Sequence, residues 1–189
     1  EPMAAVDAAQ RPTLRQSLRE ALRDRTALVV THDLLDVALL ADQVLVIEAG
    51  RVTEFAPCAR FLEAPRSEFG ATLTGLNLVR GRWDGRAVVR ADGIAVAGEA
   101  TAAVPVGADA VALFRPNTVS VFTERPSGSL RTLLSLTVES IDPYGDRVRL
   151  RAGGLSADIT PAAAAELALD VGATVHLGVK ATEVAVHPA

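Results

Sequence analysis

The sequence predicts an α/β segment followed by small all-β barrel modules. Three observations carry that expectation. The first part of the chain alternates strand-like and helix-like stretches, as α/β domains do. From about Asn77 the character changes to short alternating runs such as "AVALF" and "TVSVF", separated by Gly and Pro. The β part also repeats itself: "VGADAVALFRPNTVSV" from Val106 and "VGATVHLGVKATEVAV" from Val171 are both 16 residues long and align without a gap. They share Val-Gly-Ala, then a basic residue (Arg115 or Lys180), then Val-x-Val. Two hairpins of small residues can look alike by composition. The repeat is read instead as two related modules in series, closing into barrels that protect their edges. The expected divisions are 1–75, 76–123 and 124–189.

In the α/β segment, residues 8–24 read as a helix with Leu14, Leu18, Ala21 and Leu22 at helical spacing. Asp7 is placed to cap it, and Pro12 sits early, where a missing N–H costs least. "TALVVT" (26–31) reads as a short buried strand, and Asp33 can cap a second helix, "LLDVALLA". "QVLVIEAGRVTEFA" reads as strand, Ala-Gly turn, strand. Two short helical stretches follow, near 57–63 and 66–74. In the β part, "TERPSGS" (123–129) is a linker by composition. After it, "RTLLSLTVESI", "DRVRLRA", "LSADI", "TVHLGV" and "TEVAVH" read as strands, with one helix, "PAAAAELAL" (161–169), among them.

Composition narrows the function classes. A net charge of −4 argues against a general nucleic-acid surface. "RGRWDGR" (80–86) is basic, but one tryptophan among three arginines reads better as a solvated strand-turn. The single cysteine, Cys58, excludes an intrachain disulfide and any multi-cysteine metal site, and no metal ligand set is expected. No apolar run approaches the ~20 residues that a membrane span needs.

"EPMAAVD" followed by a helix, a strand and "THD" resembles the second half of an ABC-transporter ATPase. The hairpin "ADQVLVIEAGRV" matches the one that family places next. The resemblance implies that Glu1 is the Walker B glutamate, that Ala4 to Asp7 form the D-loop, and that His32 is the switch histidine. A carboxylate at a strand end can orient the water that attacks a γ-phosphate. A neutral histidine can hold phosphate and carboxylate in register. The D-loop aspartate would make contacts across a nucleotide sandwich between two subunits. No G-x-x-x-x-G-K-[ST] loop occurs anywhere in the sequence. The expectation is therefore a C-terminal fragment that begins inside Walker B and neither binds nor hydrolyses ATP by itself. ATP and Mg2+ belong to the intact protein.

The β modules resemble the TOBE type, OB-like barrels that extend importer ATPases, in the version similar to the molybdate-binding Mop proteins. "GSLRTLLSLTVESI" resembles the S-x-R-N opening of that module, with Ser129 and Arg131 in place and Thr132 where the family has asparagine. "DITP" supplies Thr160 as a hydroxyl, and "VKATEVAV" supplies Lys180. The resemblance implies an oxyanion site of Ser129, Arg131, Thr160 and Lys180, with backbone N–H groups near Ala181 and Thr182. The chemistry is consistent: a tetrahedral dianion needs positive charge and neutral donors aimed at its oxygens. Discrimination against sulfate would rest on cavity size. Thr132 puts some anion contacts in question, and the alternative is that Arg131 and Lys180 are solvated surface charges. Arg115 stands where the second module has Lys180, and Pro116 after it removes a backbone donor, so the first module is expected to be structural.

The resemblance implies the ATP-hydrolysing subunit of a molybdate importer, working as a homodimer with membrane permease subunits at the cytoplasmic face. Molybdate or tungstate would be the regulatory ligand, and nucleic acid no partner. One rival is an importer ATPase for sulfate, iron, sugar or polyamine with purely structural barrels. Another is a stand-alone molybdate storage or sensor protein.

Overall fold

In the computed structural model, which describes residues 1–127 and 130–189, the chain forms two units, Glu1–Thr74 and Gly75–Ala189. In the first unit, helix α1 spans Arg11–Leu22 and is shorter than the sequence predicts. Asp7 does not cap it. The Asp7 carbonyl accepts the N–H groups of Gln10 (2.9 Å) and Arg11 (3.2 Å), making a turn that delays the helix. Pro12 falls in the first helical turn, as expected. Leu14, Arg15, Leu18 and Leu22 line the inner stripe, and Ala21 is exposed.

The predicted strand "TALVVT" does not form. A strand needs a neighbour for its N–H and C=O groups. The sheet of this unit, among the described residues, is a two-stranded hairpin that pairs only with itself. Leu28 and Val30 are 89% and 65% exposed. Helix α2 (Leu34–Leu40) follows, and its Asp33 cap accepts from the N–H groups of Leu35 and Asp36 as predicted. The hairpin joins β1 (Gln43–Glu48) to β2 (Arg51–Pro57) through Ala49 and Gly50, whose φ angles of +48° and +74° make the mirror-image turn that matches strand twist. Helices α3 (Cys58–Glu63) and α4 (Glu68–Thr74) complete the unit around Val37, Val46, Ala56 and Phe61.

One buried carboxylate organises this second half of the unit. Glu54 on β2 accepts from Arg60 Nη2 (2.8 Å), the Arg66 N–H (2.8 Å), and the Ser67 N–H (3.0 Å) and hydroxyl (2.9 Å). It thereby joins the hairpin to α3 and to the loop before α4.

The second unit contains β3 (Asn77–Trp83), β4 (Ala87–Val89), β5 (Ala95–Ala97), β6 (Glu99–Ala100), β7 (Asp109–Phe114) and β8 (Ser120–Phe122). It continues with β9 (Thr132–Tyr144), β10 (Arg147–Ala152), β11 (Leu155–Ile159), helix α5 (Pro161–Glu166), β12 (Thr174–Val179) and β13 (Ala185–Pro188). "RGRWDGR" is the strand-turn expected: the Asp84 carboxylate accepts from the Arg86 and Ala87 N–H groups, each at 2.7 Å, and Trp83 is buried. Within each 16-residue repeat a 3-10 turn, Pro116–Thr118 or Ala181–Glu183, separates the two strands.

The strand orders are β5-β4-β3-β7-β13-β6 and β11-β10-β9-β12-β8. The two modules therefore do not close separately in series. The last strand of the second repeat, β13, pairs with β7 of the first, and β8 of the first pairs with β12 of the second. The exchange is symmetric in register. Leu113 lies opposite Ala185, and Gly178, the same repeat position as Leu113, lies opposite Ser120. Residues from both sheets, among them Val79, Val96, Ala112, Val138, Leu150, Val175 and Val186, form one apolar cluster. The physical reason is edge protection: each sheet covers its open side with the other module's strand. At the crossing, Gly98 leaves room that a side chain would fill, since a Cβ there would lie 2.8 Å from the Val184 carbonyl oxygen.

Glu54→Ala removes one partner of a buried ion pair and leaves its donors unpaired, so it should destabilise the first unit by about 3 kcal/mol. Urea unfolding of the full chain followed by circular dichroism checks this. An unchanged midpoint would show that water replaces the carboxylate without penalty.

Candidate functional site

The residues singled out from the sequence fall in both units. In the first, Glu1 and His32 meet: Glu1 Oε1 is 3.0 Å from His32 Nδ1. A carboxylate only accepts, so Nδ1 carries the proton of this bond. The His32 hydrogen bond, and then its charge, hold the Glu1 carboxyl below the usual carboxylate range. Both side chains are largely exposed, so the contact orients the imidazole more than it stabilises the fold.

The residues flanking His32 are what fix it. The Thr31 hydroxyl donates to Asp36 Oδ2 (2.8 Å) and accepts the Asp33 N–H (3.1 Å). Arg15, buried on α1, donates from Nε to Asp36 Oδ1 (2.6 Å) and from Nη2 to Asp33 Oδ2 (2.9 Å). Sequence reading missed Arg15 and Asp36. The available signal was an arginine sitting in the apolar stripe between Leu14 and Leu18. Ala4 and Asp7 are exposed and lie in the turns before α1, where the Ala4 N–H donates to the Glu1 carbonyl (3.2 Å). Among the described residues, no cluster of three or more His, Cys, Asp or Glu side chains could hold a metal ion. No helix among them is long and apolar enough to cross a membrane.

In the second unit the site stands at one end of the β9–β12 ladder. The last registered pair is Thr132 opposite Val179. Side chains alternate across a strand. Thr132, Val179 and Leu177 face the core, whereas Ser135 and His176 meet on the outer face, with Ser135 Oγ 2.8 Å from His176 Nδ1. Arg131 and Lys180 stand one step beyond that last pair, one on each chain segment, and both are exposed. Like charges brought near each other repel. The 3-10 turn after Lys180 bonds through the Glu183 and Val184 N–H groups, so those of Ala181 and Thr182 precede its first bonded donor.

Thr160 follows β11 directly. Its hydroxyl caps α5 by accepting the Ala163 N–H at 3.1 Å. That strand, β11, packs on the turn Pro116–Thr118 that follows Arg115. Ser129 lies outside the described residues. Thr132, whose replacement of asparagine put anion contacts in question, is 1% exposed and points inward. That substitution lies in the core.

Residues 129–186 match the family model described as the TOBE domain. The molybdenum import ATP-binding protein ModC of Mycobacterium tuberculosis is 43% identical to it over 199 aligned positions, covering 100% of this chain and 54% of the relative. The molybdate/tungstate import ATP-binding protein WtpC of Pyrococcus horikoshii is 29% identical over 196 positions, covering 100% of this chain and 55% of the relative. The chain thus spans about half the length of these curated relatives. Among solved structures, the cytoplasmic molybdate-binding protein ModG, in a form with molybdate bound, matches 60% of this chain and 96% of its own with a TM-score of 0.54. At 20% identity this likeness shows the fold.

His32→Ala should raise the Glu1 carboxyl back toward the ordinary carboxylate value. The sign is that of a lowered folded-state pKa: the contact is present at neutral pH and is lost as pH falls through the Glu1 titration. Carbon-detected NMR titration of Glu1 in both proteins measures it. An identical Glu1 titration in the two would show that His32 exerts no hold on it.

Proposed function

We propose that this chain is part of the ATP-hydrolysing subunit of an ABC importer for molybdate, with a C-terminal region that senses the oxyanion and helps hold the subunit dimer together. The observation that carries the reading is the Arg131–Lys180 pair. Two cations set one step beyond the end of one ladder repel unless an anion lies between them. A tetrahedral dianion would take their charge, and the Ala181 and Thr182 N–H groups would add directional bonds. The first half has Leu76 and Arg115 one step beyond Asn77 and Phe114, and so lacks a second charge. Its role is structural in this reading. The names of the curated relatives and of ModG support the choice of anion.

The first unit is assigned, on the same basis, to the C-terminal part of an ATPase domain. Glu1 and His32 are one carboxylate and one imidazole, both exposed, and the sequence has no phosphate-cradling loop. These residues alone do not fit a nucleoside triphosphate with Mg2+. In the intact protein Glu1 would orient the attacking water, and His32, held by the Thr31–Asp33–Asp36–Arg15 network, would keep that carboxylate in place. Ala4 and Asp7 would face the second ATPase subunit. The assembly would sit at the cytoplasmic face of the membrane through permease subunits.

Calorimetric titration of the chain with molybdate, tungstate and sulfate tests the oxyanion reading. Saturable binding of molybdate and tungstate is expected, weaker or absent for sulfate, and at least ~10-fold weakened by Arg131→Ala, the usual scale for one charge-assisted bond. No binding of any of the three by a folded chain would move the barrels to a purely structural role and leave the cargo open.

A further inference from the structure

Two buried polar side chains join the halves of the second unit at equivalent places. Asn77 opens β3 opposite Phe114, and Thr132 opens β9 opposite Val179. Phe114 and Val179 occupy the same position of the 16-residue repeat. Asn77 accepts the Ser156 N–H through Oδ1 at 2.7 Å and donates from Nδ2 to the Ser156 carbonyl at 2.8 Å. Thr132 accepts the Ala97 N–H through its hydroxyl at 2.8 Å. Ser156 on β11 and Ala97 on β5 are themselves equivalent, each one residue past the strand's pairing with Ala152 or Val88. Asn77 and Thr132 are 4% and 1% exposed, so each bond is made away from water, where losing it is costly. Each half therefore reaches across with its first strand and fastens the third strand of the other.

The two clasps differ in what stands next to them. Before Asn77 comes Leu76, and before Thr132 comes Arg131. Successive residues of a strand face opposite ways, so a hydroxyl fastened inward at Thr132 sets the Arg131 side chain outward at the end of the ladder. The same bond also fixes one wall beside Arg131. Asp92, Gly93, Ile94 and Ala95, which lead into the clasped strand β5, line an open cleft together with Arg131 and Leu133. Asp92 in that wall is engaged by Arg90, with Nε at 2.9 and 3.0 Å from its two oxygens and Nη2 at 2.6 Å from Oδ2. Its charge is already paired with that of Arg90.

We propose that Thr132 is a positioning residue of the anion face: its buried bond to Ala97 holds Arg131 at the ladder end that Lys180 shares, whereas the equivalent Asn77 clasp serves the fold alone. The proposal rests on the reading of the Arg131–Lys180 pair as an oxyanion site. Thr132 touches no anion; it acts through its neighbour.

The test is molybdate titration of the full chain by calorimetry, with melting temperature measured in parallel, for wild type, Thr132→Val, Thr132→Ser and Asn77→Thr. Thr132→Val should lower the melting temperature and weaken molybdate binding at least ten-fold, and Thr132→Ser should restore binding to within about two-fold of wild type. Asn77→Thr should also lower the melting temperature but leave the molybdate affinity unchanged. Should Thr132→Val not fold, Thr132→Asn, which copies the Asn77 clasp, should bind at least as tightly as wild type. Equal weakening by the Thr132 and Asn77 variants, an unaltered affinity in folded Thr132→Val, or weaker binding by Thr132→Asn would overturn the positioning role. A wild-type chain that binds no molybdate would overturn the oxyanion reading itself and this role with it, and that failure is seen before any variant is made.

Discussion

The exchange of closing strands between the two β repeats is the constraint on which the second unit depends. With β13 in the first sheet and β8 in the second, neither half has a complete sheet without the other. The core follows from it, because the apolar faces of both sheets merge into one cluster. The small residues at the crossing follow too. Gly98 lies against Val184 and Val186, where a Cβ would come within 2.7 Å of the Val184 side chain. The buried polar pairs Asn77–Ser156 and Thr132–Ala97 are affordable there because each donor and acceptor is satisfied across the junction. The outer face inherits its geometry from this frame.

The first unit solves a different problem. It holds an exposed histidine beside an exposed carboxylate, and it does so with a buried arginine. Arg15 ties Asp33, the cap of α2, and Asp36 in its first turn to α1, and Thr31 closes the network on the other side. Two charges at such depth are tolerable because each oxygen of Asp36 has a donor. The hairpin that follows buries Val46 and Ala56 on one side and leaves Leu45, Ile47 and Phe55 exposed on the other.

Much of this architecture was legible in the sequence, for reasons that can be named. The Ala49-Gly50 turn, the Asp33 cap and Pro161 at the start of α5 are local, and local chemistry decides them. The internal repeat was visible because both copies keep the same strand-turn-strand spacing. What stayed hidden is long-range. The strand exchange reads the same as two modules in series, since a strand's sequence does not say which sheet it joins. The equivalence of Asn77 and Thr132 was obscured because the β3–β4 and β9–β10 hairpins differ in length. "TALVVT" had strand composition, but composition supplies no partner strand.

The measurement that bears most directly on the interlocked frame is native-state hydrogen exchange of the full chain, followed by NMR across a denaturant series. The exchange of strands predicts that the paired amides of β7, β13, β8 and β12 converge on one opening free energy, because no half can open while the other stays closed. If β9 and β12 opened at distinctly lower cost while β3 and β7 kept their protection, the halves would be independent barrels and the interlocked account would be wrong.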